Sequence, residues 1–411
     1  MSRRNGGNIS ARAAGPTEEE RGSRGMRREA RGVLVLGVML LAVFALIYLL
    51  PFLDLSKLWQ HTSLATVLAD ASERVNALVL AISGHASDVE WESERHLMQC
   101  VMCCVGGAAL GLCGSTYQGA FNNPLAAPKT LGVMAGGALG SVLYVLLFLP
   151  YVPSLPQSSN VTAAQMAQFW AEQPWYWQLA SRYGQCICSI AGCLLIVGVV
   201  VLVAAACGKG RLSNISVIIT GQVIAVGVTA VIEYFRYTLG NAGDEQLADT
   251  LAAIENYAFM QDYEFIDLLY MVLPLLILIF IIIAMRRKFS LLSFGDDVAR
   301  TMGVNPNRLR YAMIALCTLL TALAISFCGH IAFLGFISAH ISRRIVGPDM
   351  RFLLPASALF GGTFCMIVVW LCNSGLPFTN EYAAGAICSV LGGAMFLIMV
   401  VREARRGLNG W

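Results

Sequence analysis

"GGAALGLCGSTYQGAFNNPLAAPKTLGVMAGGALG", the stretch from Gly106 to Gly140, joins two apolar runs through a short segment that contains two prolines. Glycines recur four residues apart within it, at Gly107 and Gly111 and again at Gly132, Gly136 and Gly140. In lipid this spacing lets helix backbones approach closely, because packing rather than the exclusion of water drives helix association there. The stretch therefore predicts two closely packed membrane helices joined by a tight turn, "NNPLAAPKT", on the cytoplasmic side.

The whole chain has the composition of a membrane protein. Of its 411 residues, 57% are hydrophobic and only 13% are charged. A soluble domain of this length carries about a quarter charged residues. Apolar runs of about 20 residues recur along the chain, and each is long enough to cross the hydrocarbon core of a bilayer. The net charge of +3 is too small to indicate a nucleic-acid partner.

These runs predict an all-α, polytopic membrane protein with about ten transmembrane helices. The predicted spans are Val33–Leu53, Leu97–Phe121, Leu131–Leu149, Cys186–Cys207, Ile215–Ile232, Ile266–Met285, Leu309–Cys328, Ile331–Ile345, Phe352–Cys372 and Ala383–Val401. The eighth span is the shortest, and merging it with a neighbour would leave nine spans and an external C-terminus.

The distribution of charge orients these spans. With the N-terminus in the cytoplasm, most Lys and Arg residues fall inside, and the acidic clusters at 88–94 and 243–250 fall outside. This asymmetry is the one that the positive-inside rule describes. It places both termini in the cytoplasm. The chain then divides into a basic, disordered tail (1–32), one transmembrane domain (33–402) and a cytoplasmic C-terminal tail (403–411).

No metal site is predicted, although the chain has thirteen cysteines. "MQCVMCC" (Met98–Cys104) contains the soft ligands that Cu(I) prefers. On a helix, however, Cys100 and Cys104 share a face that Cys103 only partly joins. We interpret these cysteines as small buried hydrophobic residues.

The segment "RRKFSLLSFGDDVARTMGVNPNRLR" (Arg286–Arg310) predicts a short cytoplasmic helix with one apolar face. Four apolar residues recur on that face at helical spacing: Leu291, Phe294, Val298 and Met302. Asp296 and Asp297 are expected to cap its start and to favour its dipole, and Gly303 to end it. Asn305 and Pro306 are expected to begin the next helix. Such a helix can lie on the membrane, pack on its own bundle or enter a partner's groove, and the residues alone favour self-packing.

Three ordered strings in the chain resemble the FecCD-type permeases, the membrane subunits of ABC importers for ferric siderophores, haem and cobalamin. The first is the opening stretch, with Gln118, Asn123 and Pro124 at the family's spacing. The second is "LLSFGDDVARTMGV" (Leu291–Val304), and the third runs through "GHIAFLGFISAHISR" (Gly329–Arg343) into "VGPDMRFLLPASAL" (Val346–Leu359). A further, weaker signal is "LCG" at 112–114 and "FCG" at 327–329, which suggests inverted pseudo-repeat halves.

The resemblance implies a function and a set of site residues. It implies a permease in the bacterial inner membrane that works with a separate ABC ATPase, which binds ATP and magnesium, so that the chain itself needs no cofactor. It also implies an extracellular or periplasmic substrate-binding protein and a second permease copy or paralogue. The segment that docks into the ATPase would contain Leu291, Phe294, Gly295, Asp296, Asp297, Val298, Ala299, Arg300, Met302 and Gly303. Helix packing and the translocation pathway would use Gly107, Gly111, Gln118, Asn123, Pro124, Gly132, Gly136, Gly140, Gly335 and His340.

Two other classes of function are alternatives to an ABC permease: an ion-coupled secondary transporter and a membrane enzyme. The chain lacks the phosphate-binding motif G-x-x-x-x-G-K-[ST], so ATP hydrolysis would belong to another chain. An ion-coupled secondary transporter would bury carboxylates or histidines at mid-membrane, where His340 is the clearest candidate. A membrane enzyme is disfavoured because the chain has no H-x-x-x-H and no G-x-S-x-G motif.

Overall fold

The computed structural model describes residues 31–43, 45–46, 88–148, 151, 169, 171–208, 214–241, 265–329, 331–373 and 383–408. In these ranges the chain is helical and has no strands, which confirms the predicted all-α class. The helices are α1 (Arg31–Val43), α2 (Asp88–Ala120), α3 (Val133–Leu147), α4 (Trp175–Cys207), α5 (Asn214–Asn241), α6 (Phe265–Ala284), α7 (Arg286–Ser293), α8 (Asp296–Thr301), α9 (Pro306–Cys328), α10 (Leu334–Val346), α11 (Met350–Asn373) and α12 (Ala383–Leu408).

Fewer of these helices than predicted are long and apolar enough to cross a bilayer. Within the described ranges five meet both conditions, in α2, α4, α5, α9 and α11. A sixth is reached if α6 and α7, bent by 56° where they join, count as one span. Three further apolar helices are shorter, in α1, α3 and α12. The predicted first span is described only in part, and α12 continues through most of the predicted C-terminal tail to Leu408.

Helix α2 lies at the centre of the bundle and packs against α11 through small residues. A Cβ atom added at Gly107 would lie 2.5 Å from the carbonyl oxygen of Gly361. One added at Gly111 would overlap the carbonyl oxygen of Ser357. The two backbones are in direct contact because glycines of α2 face Gly361 and other small residues of α11, which is the arrangement that small residues allow in lipid.

Helix α9 crosses the other side of α2 and runs antiparallel to it. The Cys113 thiol donates a hydrogen bond to the Cys317 carbonyl oxygen at 3.4 Å. The Tyr117 hydroxyl lies 3.3 Å from the Thr318 hydroxyl. Further along, the thiol of Cys328 in α9 faces the carbonyl oxygen of Met102 in α2 at 3.7 Å. The numbering rises in one helix as it falls in the other, so α2 and α9 point in opposite directions.

Helices α3 and α10 both begin inside the bundle, near the middle of the apolar span of α2. A Cβ atom at Gly335, in the first turn of α10, would lie 2.7 Å from the carbonyl oxygen of Leu110. Leu110 is ten residues from the end of α2 at Ala120, which is about 15 Å along a helix axis. The Lys129 ammonium, just before α3, lies 4.8 Å from the centre of the Phe333 ring, just before α10. Both short helices therefore start close to mid-depth.

The structure refines the predicted tight turn at "NNPLAAPKT", whose place on the cytoplasmic side stays a prediction. The segment leaves the end of α2 and returns into the bundle as a 3-10 turn, Pro128–Leu131, before α3 starts. A left-handed residue at the N-cap makes the change of direction in both loops: Gly132 has φ +77° before α3, and Phe333 has φ +62° before α10. A side chain in this conformation is uncommon, so the backbone at Phe333 is strained.

The charged segment at 286–310 forms two helices rather than the single one predicted. Gly295 separates α7 from α8 with φ +101°, which a residue with a side chain rarely adopts. Helix α8 ends at Thr301, and Gly303 follows in a left-handed conformation. This agrees with the prediction that Gly303 ends the helix. The Asn305 side chain accepts hydrogen bonds from the backbone N–H groups of Asn307 and Arg308, which confirms it as the N-cap of α9.

Candidate functional site

The surface of α8 presents an apolar patch formed by Phe294, Val298 and Met302, which we call the α8 patch. The exposed fractions of these side chains are 67%, 44% and 65%. On the opposite side of the segment that contains α7 and α8, Leu292 and Ala299 are buried in the protein. The predicted self-packing therefore holds for the face of this segment that contains Leu292 and Ala299. The α8 patch is not covered by any described part of the chain.

A bidentate ion pair joins α8 to α9. The Arg310 guanidinium donates hydrogen bonds to both carboxylate oxygens of Asp296, at 3.0 Å and 2.7 Å. Arg310 is buried, whereas the Asp296 side chain is 39% exposed. The hydrogen bonds from Arg310 lower the pKa of Asp296 below its ordinary value. Asp296 therefore binds α9 rather than capping α8, whose N-cap, Gly295, has no side chain.

We expect Asp296→Asn to loosen α8 from α9 and to lower the free energy of unfolding by about 1–2 kcal/mol. Breaking a fully buried ion pair lowers the free energy of unfolding by more than this, but solvent around the partly exposed Asp296 weakens its attraction to Arg310. Because the pKa of Asp296 is lower in the folded protein, the stabilisation is complete above about pH 4 and is lost as the pH falls through that lowered pKa. Thermal unfolding in detergent across pH measures both effects. Asp297→Asn, at the exposed neighbouring carboxylate, is the control, and an equal loss there would contradict this role for the pair.

A cavity of about 480 Å³ lies where the first turns of α3 and α10 meet α5 and α12. This volume is in the range of small-molecule sites. Most of its lining is apolar, and the polar exceptions are Lys129, Thr130 and Gln222. The full lining is Leu110, Leu125, Ala127, Pro128, Lys129, Thr130, Met134, Ile218, Gln222, Ile331, Phe333, Gly335, Phe336, Gly393 and Phe396.

The residues predicted for helix packing and the pathway separate into different places. Of that set, only Gly335 lines this cavity. Gly107 and Gly111 face α11, whereas Gly136 and Gly140 face α4. Gln118 is buried, and its amide nitrogen has no hydrogen-bond partner among the described residues. The imidazole of His340 stacks on the ring of Phe336, one turn earlier in α10, with 6.3 Å between ring centres.

The turn around Asn123 is held by its own hydrogen bonds. The Asn123 side-chain oxygen accepts a hydrogen bond from the backbone N–H of Leu125 at 2.9 Å, and Pro124 follows directly in an exposed position. Asn122 has φ +47°. These residues shape the loop that brings Lys129 to the cavity; Leu125 lines the cavity, whereas Asn122, Asn123 and Pro124 do not.

Four residues that line the cavity were not predicted from the sequence: Lys129, Phe333, Gln222 and Phe396. One signal was present: Lys129 is the single charge in the string from Gly106 to Gly140. Its significance was hidden because the turn was assigned to the cytoplasm, where a lysine is ordinary. Within the described ranges, no group of three or more His, Cys, Asp or Glu side chains is arranged to hold a metal ion.

Comparison with known proteins gives concordant matches. The sequence model of the FecCD transport family matches residues 64–402. The Fe(3+)-citrate import system permease protein YfmE of Bacillus subtilis is 27% identical over 333 residues, which cover 80% of this chain and 88% of that protein. The hemin transport system permease protein HmuU of Yersinia pestis is 26% identical and covers 83% and 93%. The cobalamin import system permease protein BtuC of Halobacterium salinarum is 28% identical and covers 73% and 70%.

A solved structure shares the fold. It is described as an inward-facing conformation of a metal-chelate type ABC transporter, and it matches with a TM-score of 0.64 at 19% identity. The match covers 90% of this chain and 99% of that chain.

Proposed function

The chain belongs to the FecCD transport family, and we propose that it is the membrane-spanning permease of an ATP-driven importer for a ferric siderophore, haem or cobalamin-like substrate. The match to the family over residues 64–402 carries this proposal. It is supported by relatives whose names describe permeases for ferric citrate, hemin and cobalamin. Permeases of this family are transport components rather than enzymes.

The proposed permease works with three partners. A separate ATPase subunit supplies the energy, since the chain has no phosphate-binding loop of its own. The α8 patch is the surface proposed to enter the ATPase. An extracellular binding protein delivers the substrate, and a second permease copy or a paralogue completes the membrane part.

The proposed architecture has ten crossings, both termini in the cytoplasm and two inverted halves. Its support is the pair of antiparallel helices α2 and α9, each followed by a short helix that begins at mid-depth. Discontinuous helices of this kind meet at the substrate site in inverted-repeat transporters. We therefore place the cavity between the starts of α3 and α10 on the translocation pathway.

The ion pair between α8 and α9 gives the proposed permease a mechanical link. A movement of the ATPase would displace α8 through its apolar patch. The bidentate Asp296–Arg310 contact would pass this displacement to α9, which packs along α2. Ion pairs and packed helices of this kind can carry coupling between distant sites.

An ion-coupled secondary transporter has no support in these findings. The named relatives are permeases of import systems, and the related solved structure is described as an ABC transporter. The His340 ring, which was the clearest candidate for a proton relay, stacks on the apolar ring of Phe336.

We expect uptake to require ATP. The test is reconstitution of the permease in liposomes with its ATPase and binding protein, followed by comparison of internal ATP with an imposed proton gradient. ATP should drive uptake, and the gradient alone should not, because the described chain places no acidic residue on the cavity wall to carry a proton. Uptake driven by the gradient without ATP would refute the importer.

A further inference from the structure

The cavity contains one fixed charge, on Lys129. This residue begins the approach to α3, and its ammonium faces the Phe333 ring across 4.8 Å. The other fourteen lining residues are uncharged, and none is acidic. The side chain is exposed toward the cavity rather than buried in the bundle. The cavity wall therefore has a net positive charge that no lining carboxylate neutralises.

A lysine at this depth needs a physical reason. Leu110, which shares the cavity with Lys129, lies near the centre of the apolar span Met98–Ala120. A cation near the middle of a bilayer is costly, and such residues mark substrate or ion pathways when they face a cavity. The contact with the Phe333 ring offsets a part of this cost. The rest would be offset by an anion in the cavity.

The backbone around Lys129 adds to the positive potential. The first turns of α3 and α10 both reach the cavity, through Met134 and through Gly335 and Phe336. Neither helix has a side chain that caps its N-terminal N–H groups. The positive end of each helix dipole is thus directed to the region where the Lys129 ammonium lies.

We propose that Lys129 is a specificity-determining residue that binds the anionic groups of the transported chelate, so that the substrate is a carboxylate- or catecholate-bearing metal chelate or haem rather than a neutral hydroxamate chelate. This inference rests on the proposed importer function. The chelate would place one oxyanion against Lys129, where the Gln222 amide offers a further hydrogen-bond donor, and its apolar parts against Phe333, Phe336 and Phe396. A neutral ferric hydroxamate has no oxyanion for the ammonium, which would then lose contact with water without gaining an ionic partner.

The test uses the full complex of permease, ATPase and binding protein in liposomes with ATP inside. Ferric citrate, ferric enterobactin and hemin are the anionic probes, and two ferric trihydroxamates without ionised side groups are the neutral ones. Three permeases are compared: the wild type, Lys129→Gln and the charge-preserving Lys129→Arg. Co-purification of the ATPase with each variant reports whether the complex assembles.

We expect the wild type to take up at least one anionic probe and neither neutral one. Lys129→Gln should lower that uptake about ten- to a hundredfold, the range that follows from losing one hydrogen bond to a charged group. Lys129→Arg should keep most of it.

Three results would overturn the inference and leave the importer standing: uptake of a neutral probe only, uptake unaffected by Lys129→Gln, or equal losses in Lys129→Gln and Lys129→Arg. A Lys129→Gln complex that does not assemble would assign the lysine to packing against Phe333 and would also count against it. If the wild type takes up no probe in an ATP-dependent manner, the proposed function fails and this inference fails with it.

Discussion

Replacing Gly136 by leucine is expected to remove most of the folded protein from a detergent extract. Gly136 is a point of direct backbone contact between α3 and α4: a Cβ atom there would lie 2.6 Å from the carbonyl oxygen of Gly192 and 2.9 Å from the Cα atom of Cys193. The contact is reciprocal, since a Cβ at Gly192 would overlap the carbonyl oxygen of Gly136. Backbone atoms cannot move aside as a flexible side chain can. The two helices would have to separate along their whole contact.

The expected cost is about 3 kcal/mol or more, at or beyond the upper end of what extra volume costs in a packed core. Monodisperse yield in size-exclusion chromatography and the unfolding temperature measure it. Gly198→Leu is the matched control, because Gly198 lies in α4, the helix that Gly136 contacts, and a Cβ atom added there has nothing within 4 Å. It should leave the yield nearly unchanged. Normal yield of Gly136→Leu with a selective loss of substrate binding would identify the glycines as a ligand site instead of a packing seam.

Val298→Asp is expected to abolish transport while leaving the permease folded. Val298 is 44% exposed and lies between Phe294 and Met302 in the α8 patch. A carboxylate placed there would have to enter the proposed apolar groove of the ATPase without a partner, and burying an unpaired charge is strongly unfavourable. The folded permease should tolerate the change, because the side chain makes little contact with its own bundle.

Co-purification of the ATPase with the permease and ATP-driven uptake are the two readouts, and both should be lost. Val298→Thr, which has nearly the same shape without the charge, should retain most of the association. Binding of the extracellular partner to the Asp variant should persist, because α8 is proposed to lie on the opposite side of the membrane. If Val298→Asp keeps ATPase association and uptake, the α8 patch is not the coupling surface.

The chain's sequence determined the class of the protein and several local features. Long apolar runs with few charges leave helices as the structure that satisfies backbone hydrogen bonds in lipid, so the all-helical fold follows from composition alone. Asn305 before Pro306 begins α9, and Gly303 follows the end of α8, because capping and left-handed backbone conformations depend on a few adjacent residues. The resemblance to the family could be recognised for a similar reason, since each of its three sequence strings is a run of adjacent residues.

Only the tertiary structure decided which residues meet. Helical periodicity placed Phe294 and Val298 on one continuous helix, but Gly295 breaks it, and the pairing of Asp296 with Arg310 then fixes the direction of α8. The glycine spacing predicted close packing without naming Gly192 as the surface that Gly136 meets. Hydropathy counts the apolar residues in a run and contains no information on the depth at which a helix begins. Lys129 could therefore be assigned to a cytoplasmic turn until the contact with Phe333, far away in the sequence, placed it beside the start of α10.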